Sequence, residues 1–198
     1  METKINRFTL ILIFTPLLFC SLAACQENSD GKNPEIIIIE NYDKISSFAE
    51  ILSMKEFADK VIYIDIWVAP CSPCIAEFKH LPELKNRYKN KDVVFLYLAR
   101  SYGLFRMSKW EKEMQKYNLE GYHIWMTEEL KDKIISELPG IARGYPRFIL
   151  INKKGKVAYL NAPKPSSREK LYKLIDELLE EKIVTVNSSN ASLKNIKI

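Results

Sequence analysis

Two cysteines, Cys71 and Cys74, stand with two residues between them at the end of an apolar run, in the segment YIDIWVAPCSPCIAEF. Cysteines at this spacing suit a metal clip, a structural disulfide or a reversible redox pair. A disulfide between them closes a very short ring and constrains the unfolded chain hardly at all, which excludes a stapling role. A structural zinc site normally needs more ligands than this pair offers. The spacing therefore favours redox chemistry.

The rest of the chain gives no support for a metal site. The sequence contains two histidines, His80 and His123, and His80 lies six residues beyond Cys74, outside the usual spacing of zinc ligands. Of the remaining cysteines, Cys20 lies in the N-terminal leader described below and Cys25 directly follows it. We therefore predict no metal site and no bound cofactor.

An acidic residue, Asp65, lies in the middle of the apolar run VIYIDIW. This run is rich in β-branched and aromatic side chains and predicts a central strand. A carboxylate in such a strand costs several kcal/mol unless it is neutralised or used in chemistry. Asp65 is therefore either a buried catalytic carboxyl or a residue near the strand's end that reaches solvent or caps a helix.

The pattern of strands and helices predicts one α/β domain over residues 36–183. The chain has 198 residues, of which 47% are hydrophobic and 28% charged, enough for one ordinary core. The net charge is +5, but the basic residues are interleaved with acidic residues along helical stretches, so we expect no nucleic-acid binding. Strands are predicted at 35–40, 61–67, 92–99, 147–152 and 156–160, the last two as a hairpin, with a short apolar piece at 122–126. Helices are predicted at 46–60, 74–88 with a kink at Pro82, 108–118, 127–138 and 167–182, the last capped by Ser166 or Ser167.

The N-terminus has the features of a signal peptide over residues 1–24. Lys4 and Arg7 precede an apolar stretch at 8–19 that is too short for a comfortable membrane span and is interrupted by Pro16. The residues that follow, 25–35, are polar and predict a tether, and residues 184–198 predict an unstructured polar tail.

The end of this leader, LAAC at residues 22–25, resembles a bacterial lipobox. In that motif cleavage precedes the cysteine and lipid is attached to its sulfur, so Cys25 is predicted to be lipidated. The resemblance implies a protein anchored in the envelope of a bacterium, with the periplasmic face as the expected location. The alternative is an ordinary cleavable signal with Cys25 as a passive thiol.

The motif W-x-x-x-C-x-P-C at residues 67–74 follows a predicted strand and opens a predicted helix. Further along, Gly144, Tyr145 and Pro146 lead directly into the predicted hairpin. This order resembles the thioredoxin superfamily, and more narrowly the periplasmic reductases of the TlpA and ResA type. Asp65, two residues before the tryptophan, falls where thioredoxin has its buried aspartate.

The resemblance spans roughly residues 36–181 and implies a thioredoxin-like α/β fold, with a central mixed sheet flanked by helices. The helix and strand between about 101 and 126 resemble the central insertion of the TlpA and ResA group. The predicted strand VVFLYLA has no counterpart to the lysine that thioredoxin places near its buried aspartate. We therefore expect Asp65 to titrate differently.

Four residues are predicted to be catalytic. At a helix N-terminus, unpaired N–H groups and the helix dipole favour negative charge, so Cys71 is expected to be the thiolate that attacks a substrate disulfide. Cys74, one turn further in, is expected to resolve the mixed disulfide. Asp65 is expected to take and return the proton of Cys74. Glu77 matches an acid of the TlpA and ResA group, and either tunes the pKa of the pair or simply suits the helix dipole.

Four further residues are predicted to border the substrate. Trp67 is expected to form a wall of the site, and a cis peptide bond before Pro146 is expected to place the Tyr145 backbone against the cysteines as an edge for substrate. Two positions depart from the family pattern. Pro70 replaces the usual aromatic residue before the first cysteine, and Tyr145 replaces the usual Thr, Val or Ile.

These features together predict a membrane-anchored thiol–disulfide oxidoreductase that reduces disulfides of envelope proteins. An inner-membrane thiol transporter is the electron donor that the resemblance implies. The alternatives are a disulfide oxidase or isomerase, and a non-enzymatic lipoprotein that binds copper through the two thiolates. Copper carriers on this fold usually add a ligand histidine in a loop, and the sequence offers no obvious one.

Overall fold

The strand that carries Asp65 is the centre of the sheet. Asp65 lies in β2 (Val61–Ala69), all of whose residues are buried. β3 (Val93–Ser101) pairs with one edge of β2 in parallel, and β5 (Arg147–Ile151) pairs with the other edge in antiparallel. Burial on both faces explains why the sequence of β2 is almost continuously apolar.

The structure is a computed structural model that describes residues 35–102 and 106–181. The predicted signal peptide, Cys25, nearly all of the predicted tether and the predicted tail lie outside the described residues. Among the residues that are described, no helix is both long enough and apolar enough to cross a membrane.

The described strands form one mixed sheet in the order β1-β4-β3-β2-β5-β6. The outer strands are β1 (Ile36–Ile38) and β6 (Val157–Tyr159). β4 (Gly121–Trp125) comes from the predicted insertion and lies between β1 and β3, parallel to both. The helices are α1 (Phe48–Leu52), α2 (Ser72–Phe78), α3 (Leu81–Tyr88), α4 (Arg106–Lys116), α5 (Glu128–Glu137) and α6 (Glu169–Glu180). The predicted α/β fold with a helix and strand insertion is confirmed.

The two faces of the sheet bury two separate cores. On one face, Tyr63 and Trp67 of β2 pack in a cluster with Cys74 and with residues of α2, α3, α4 and α6. On the other face, Ile64 and its even-numbered neighbours pack with α1 and α5. Because side chains alternate along a strand, Asp65 points to the face covered by the cysteine helix.

The helix predicted over 74–88 is two helices rather than one kinked helix. α2 ends at Phe78 and α3 begins at Leu81, with Pro82 in the first turn of α3. A proline ring clashes with the carbonyl four residues earlier, here that of Phe78, and it lacks an N–H. A proline in the first turn of a new helix avoids both costs.

The helix predicted over 46–60 is confined to α1, followed by a 3-10 turn at Lys55–Phe57. Serines delimit α1 at both ends. The Ser47 hydroxyl accepts the N–H of Glu50, and the Ser53 hydroxyl donates to the Glu50 carbonyl. Serine favours such local bonds over continuing a helix.

The predicted serine cap of the last helix is wrong. Pro165–Ser167 form a 3-10 turn, and α6 begins at Glu169 with no side-chain hydrogen bond from its N-cap, Arg168. Ser166 instead directs both its N–H and its hydroxyl to Glu77. The tertiary fold brings the Glu77 carboxylate to Ser166, which therefore bonds to Glu77 instead of capping α6.

Gly121 is needed where β4 begins. Its φ is +128°, and a Cβ there would lie 2.6 Å from the carbonyl oxygen of Phe95 on β3. Gly121→Ala is therefore expected to lower the free energy of unfolding by about 2 kcal/mol or more, because the positive φ and the backbone clash both oppose a side chain. Urea-induced unfolding measures the loss.

Gly155→Ala is the matched control for this prediction. Gly155 also has a positive φ, +69°, but a Cβ built there meets nothing within 4 Å. Only the conformational cost remains, about 1 kcal/mol. Equal losses of stability in the two variants would contradict a steric role for Gly121.

Candidate active site

The two cysteines form a disulfide at the start of α2. Their Cα atoms are 5.3 Å apart. Cys71 is the N-cap of the helix, and its sulfur accepts the backbone N–H of Cys74 at 3.2 Å. Cys71 is 9% exposed whereas Cys74 is fully buried. After reduction, the same N–H would be placed to stabilise a Cys71 thiolate, and Cys71 is the more accessible residue of the pair.

Exposed prolines, Pro70 and Pro73, lie next to the cysteines in the chain, and Pro146 precedes β5. Pro73 lies in the first turn of α2, where its missing N–H has no partner to lose. The Tyr145–Pro146 peptide bond is cis, as predicted, and Tyr145 and Pro146 are both half-buried. The peptide bond before the exposed Pro70 is also cis, which the sequence analysis did not anticipate.

Asp65 is a buried carboxyl without a hydrogen-bond partner. It is 2% exposed, and neither of its carboxylate oxygens has a partner. It lies opposite Tyr97 on β3 and Phe148 on β5. Burial raises the pKa of Asp65 well above its usual value, and the negative charge of Glu77 raises it further. The alternative interpretation, in which Asp65 lies near the end of its strand and reaches solvent, is therefore wrong.

Lys85 supplies the cation that the strand sequence lacks. Its side chain, on α3, lies with its Nζ 5.3 Å from the ring centre of Tyr97 and donates a hydrogen bond to the Glu120 carbonyl. Its charge lowers the pKa of Asp65, opposing the effects of burial and of Glu77. The pKa of Lys85 itself falls to about 7, chiefly through burial.

Sequence reasoning missed Lys85 because it sought a lysine in β3. The signal that could have found it is helical spacing. Lys85 follows the buried Leu81 by four residues and Leu84 by one, so it lies close to the apolar stripe of α3. Lys85 also lines a cavity of about 510 Å³, remote from the disulfide, at the end of the sheet where β3 and β4 begin.

Glu77 is held in place by the segment before α6. Its two carboxylate oxygens accept the N–H of Ser166 at 2.9 Å and its hydroxyl at 3.1 Å, and Lys164 Nζ lies 3.0 Å away. Burial raises the pKa of Glu77, but these bonds together lower it below its usual value. Glu77 is therefore charged at neutral pH, and its charge acts on Asp65.

Trp67 lies inside the protein beneath the pair. It is 1% exposed, and its ring packs edge-on against Phe78 of α2, with ring centres 5.1 Å apart. Its indole N–H has no partner. Trp67 thus supports the cysteine helix from below, and its predicted contact with substrate stays a prediction.

The predicted site residues come from several separate elements. β2 supplies Asp65 and Trp67, and the start of α2 supplies the cysteines. A cysteine pair at the first turn of a helix, packed on the same face of the sheet as a buried carboxyl of the central strand, is suited to exchanging a disulfide with a second molecule. Among the described residues, no group of three or more His, Cys, Asp or Glu side chains could hold a metal ion.

Fold and site together define a thioredoxin-fold thiol–disulfide oxidoreductase. A sequence profile of the Redoxin family matches residues 46–175, which is more than half of the chain. The chain belongs to the Redoxin family and is an oxidoreductase.

Solved structures agree with this assignment. The chain is 32% identical to a Bacteroides vulgatus protein described as a candidate thiol-disulfide oxidoreductase, with a TM-score of 0.51 over 62% of this chain and 75% of that chain. The thioredoxin domain of a thiol-disulfide oxidoreductase from the same organism has a TM-score of 0.53 at 19% identity, over 64% of this chain and 84% of that chain. The second similarity shows the fold alone. No curated protein matches the chain.

Proposed function

We propose that this protein is a membrane-anchored reductase of the TlpA and ResA type, which reduces disulfides of bacterial envelope proteins. The observation that carries the proposal is a cysteine pair at a helix N-terminus with no positive charge between its members, above the buried Asp65. Oxidation is the default in the bacterial periplasm, so a protein that keeps other cysteines reduced there needs a stable disulfide of its own.

The proposed reaction transfers two electrons and two protons to the substrate disulfide. The Cys71 thiolate attacks one substrate sulfur, forms a mixed disulfide and releases the other substrate sulfur, which takes up a proton. Asp65 then takes the proton of Cys74, and the Cys74 thiolate attacks the Cys71 sulfur. The Cys71–Cys74 disulfide forms, and the second substrate sulfur leaves and is protonated. An inner-membrane thiol transporter is proposed to return the protein to its dithiol form.

The reducing direction predicts a low potential for the pair. The two residues between the cysteines, Ser72 and Pro73, carry no charge, and the nearby Lys164 is paired with Glu77 at 3.0 Å. Apart from the helix terminus, little therefore stabilises the Cys71 thiolate. The reduced form is then hardly stabilised relative to the disulfide form. We expect a reduction potential below about −200 mV, on the side of thioredoxin at roughly −270 mV.

Equilibration of the purified domain with glutathione buffers measures this potential. A value near that of the strong periplasmic oxidant, about −120 mV, would overturn the reductase proposal and favour the oxidase instead. Lys164→Gln is a useful second variant, because it leaves Glu77 charged without its cation. It should not raise the potential, since a freed negative charge disfavours a thiolate.

The membrane anchor is proposed to be lipid on Cys25. The support is the basic and apolar leader that ends in LAAC. Cys25→Ala is expected to give a soluble or unprocessed protein with an intact active site, because lasting attachment requires the acyl chains that the cysteine carries. Membrane fractionation of cells expressing each form tests this. A Cys25→Ala protein that is fully processed and still bound to membranes would contradict the proposal.

A further inference from the structure

Two arginines lie at the end of the sheet where β2 leads toward the cysteine helix. Arg100, on β3, lies opposite Val68 of β2, and Arg147, on β5, lies opposite Ile66 of β2. Both positions are near the end of β2, which stops at Ala69, two residues before Cys71, the N-cap of the cysteine helix. The two arginines therefore flank, from either side, the strand that leads to the cysteines.

Each arginine lies against a tyrosine. The Arg100 Cζ is 4.8 Å from the ring centre of Tyr102, and the Arg147 Cζ is 4.8 Å from that of Tyr145. The two tyrosines also interact with each other. After burial, the neighbouring Tyr102 is the largest cause of the raised pKa of Tyr145, and both arginines lower that pKa. These four residues form one array, here called the arginine–tyrosine patch.

The patch keeps positive charge that no carboxylate neutralises. Arg100 is buried and paired with Glu128, so its charge is compensated. Arg147 donates its Nε–H to the Gly144 carbonyl at 2.7 Å, and within the described residues no carboxylate lies in ion-pair range of it. The exposed Arg143, in the adjoining loop, likewise has no ion-pair partner in the part of the chain that is described.

The patch also exposes aromatic surface. Tyr102 is 53% exposed, among the few large apolar side chains that the described residues leave in water. Tyrosine and arginine are the side chains that most often dominate binding energy at protein interfaces. An arginine stacked on an aromatic ring is held in place, so it loses less freedom when it pairs with an acid.

We infer that the arginine–tyrosine patch selects the substrate, by docking a polypeptide segment that carries acidic side chains next to the disulfide to be reduced. The inference deepens the proposed function and rests on it. Arg147 and Arg143 would pair with the acidic side chains, and Tyr102 would cover an apolar side chain of the same segment. Charge complementarity decides the kind of partner, because an uncompensated cationic surface repels a basic segment.

The experiment compares two synthetic peptides with the same internal disulfide. One carries two Glu residues beside a cysteine and the other carries two Lys residues at the same positions. The ratio of kcat/KM for their reduction by the full domain is the readout, and a small neutral disulfide is reduced in parallel. Wild type should favour the acidic peptide by at least about threefold, and this preference should shrink in high salt.

Arg147→Met tests the patch directly. It keeps side-chain length and removes one of the two unpaired charges, so the preference for the acidic peptide should shrink. Lys173→Met is the control, because it removes one positive charge from an exposed position on α6, outside the patch. An unchanged ratio in Arg147→Met, or an equal loss in both variants, would overturn a local role for the patch.

The wild-type results separate the inference from the proposed function. If wild type reduces the small neutral disulfide but does not favour the acidic peptide, the inference is wrong and the reductase activity stands. If wild type reduces none of the three disulfides, the proposed function fails and the inference fails with it.

Discussion

Cys71→Ser is expected to reduce disulfide-reductase activity to the uncatalysed rate. Cys71 is the more exposed residue of the pair, at 9%, and its sulfur accepts a hydrogen bond from the helix N-terminus, whereas Cys74 is fully buried. A buried thiol cannot reach a substrate disulfide, so no second nucleophile replaces the first. Steady-state reduction of a protein disulfide, such as that of insulin, measures the loss.

Cys74→Ser is expected to stop the cycle at a different point. Attack by Cys71 continues, but nothing resolves the product, so mixed disulfides through Cys71 accumulate. Non-reducing electrophoresis followed by mass spectrometry of the trapped species identifies the linked cysteine and the partner. Partners trapped on Cys74 in the Cys71→Ser protein, with none on Cys71 in the other variant, would reverse the two roles.

Asp65→Asn is expected to slow resolution by on the order of 10²-fold or more, the usual contribution of a general acid or base. Asparagine keeps the shape of the carboxyl but cannot accept the proton of Cys74. The first attack, by Cys71, should be affected much less. Stopped-flow kinetics separates the two steps, and equal slowing of both would indicate a structural effect instead.

The same variant makes a prediction about stability and pH. The pKa of Asp65 is raised in the folded protein, so between the ordinary pKa of 3.8 and the folded value the folded state binds more protons than the unfolded state. Wild-type stability therefore falls as pH rises through that window, by up to about 1.4 kcal/mol per pH unit from this group. Asp65→Asn should be more stable than wild type at pH 7, and this advantage should vanish near pH 3.8.

Lys85→Met offers an independent check on Asp65. The Lys85 cation lowers the pKa of Asp65, so removing it should raise that pKa further. If resolution needs an ionised Asp65, the acid limb of its pH profile should move to higher pH in Lys85→Met. Lys89→Met removes an exposed lysine just beyond the same helix and should leave the profile in place. A profile unmoved in both variants would mean that Asp65 does not govern this step.

Local sequence was enough to predict most of the elements and a redox role for the cysteine pair. The apolar run at 61–67 could only be a buried strand, and C-x-P-C behind it could open a helix because a proline in a first turn loses nothing. The alternation of strands and helices was enough to predict the α/β class, whereas the insertion between about 101 and 126 was predicted from the resemblance to the TlpA and ResA group. These features depend on period, propensity and spacing, all of which are properties of neighbouring residues.

The tertiary structure decided what depends on residues distant in sequence. Ser166 does not cap α6 as predicted, because both carboxylate oxygens of Glu77, on a helix far away in the chain, accept hydrogen bonds from Ser166. Asp65 has a cation nearby because α3 folds over β3 and brings Lys85 to Tyr97, although β3 has no lysine itself. The arginine–tyrosine patch unites residues in or next to β3 and β5, two strands that are separated by β2. Local patterns specify backbone conformation, whereas the electrostatics of a buried site depend on which charges the packing of the whole chain brings within a few ångströms.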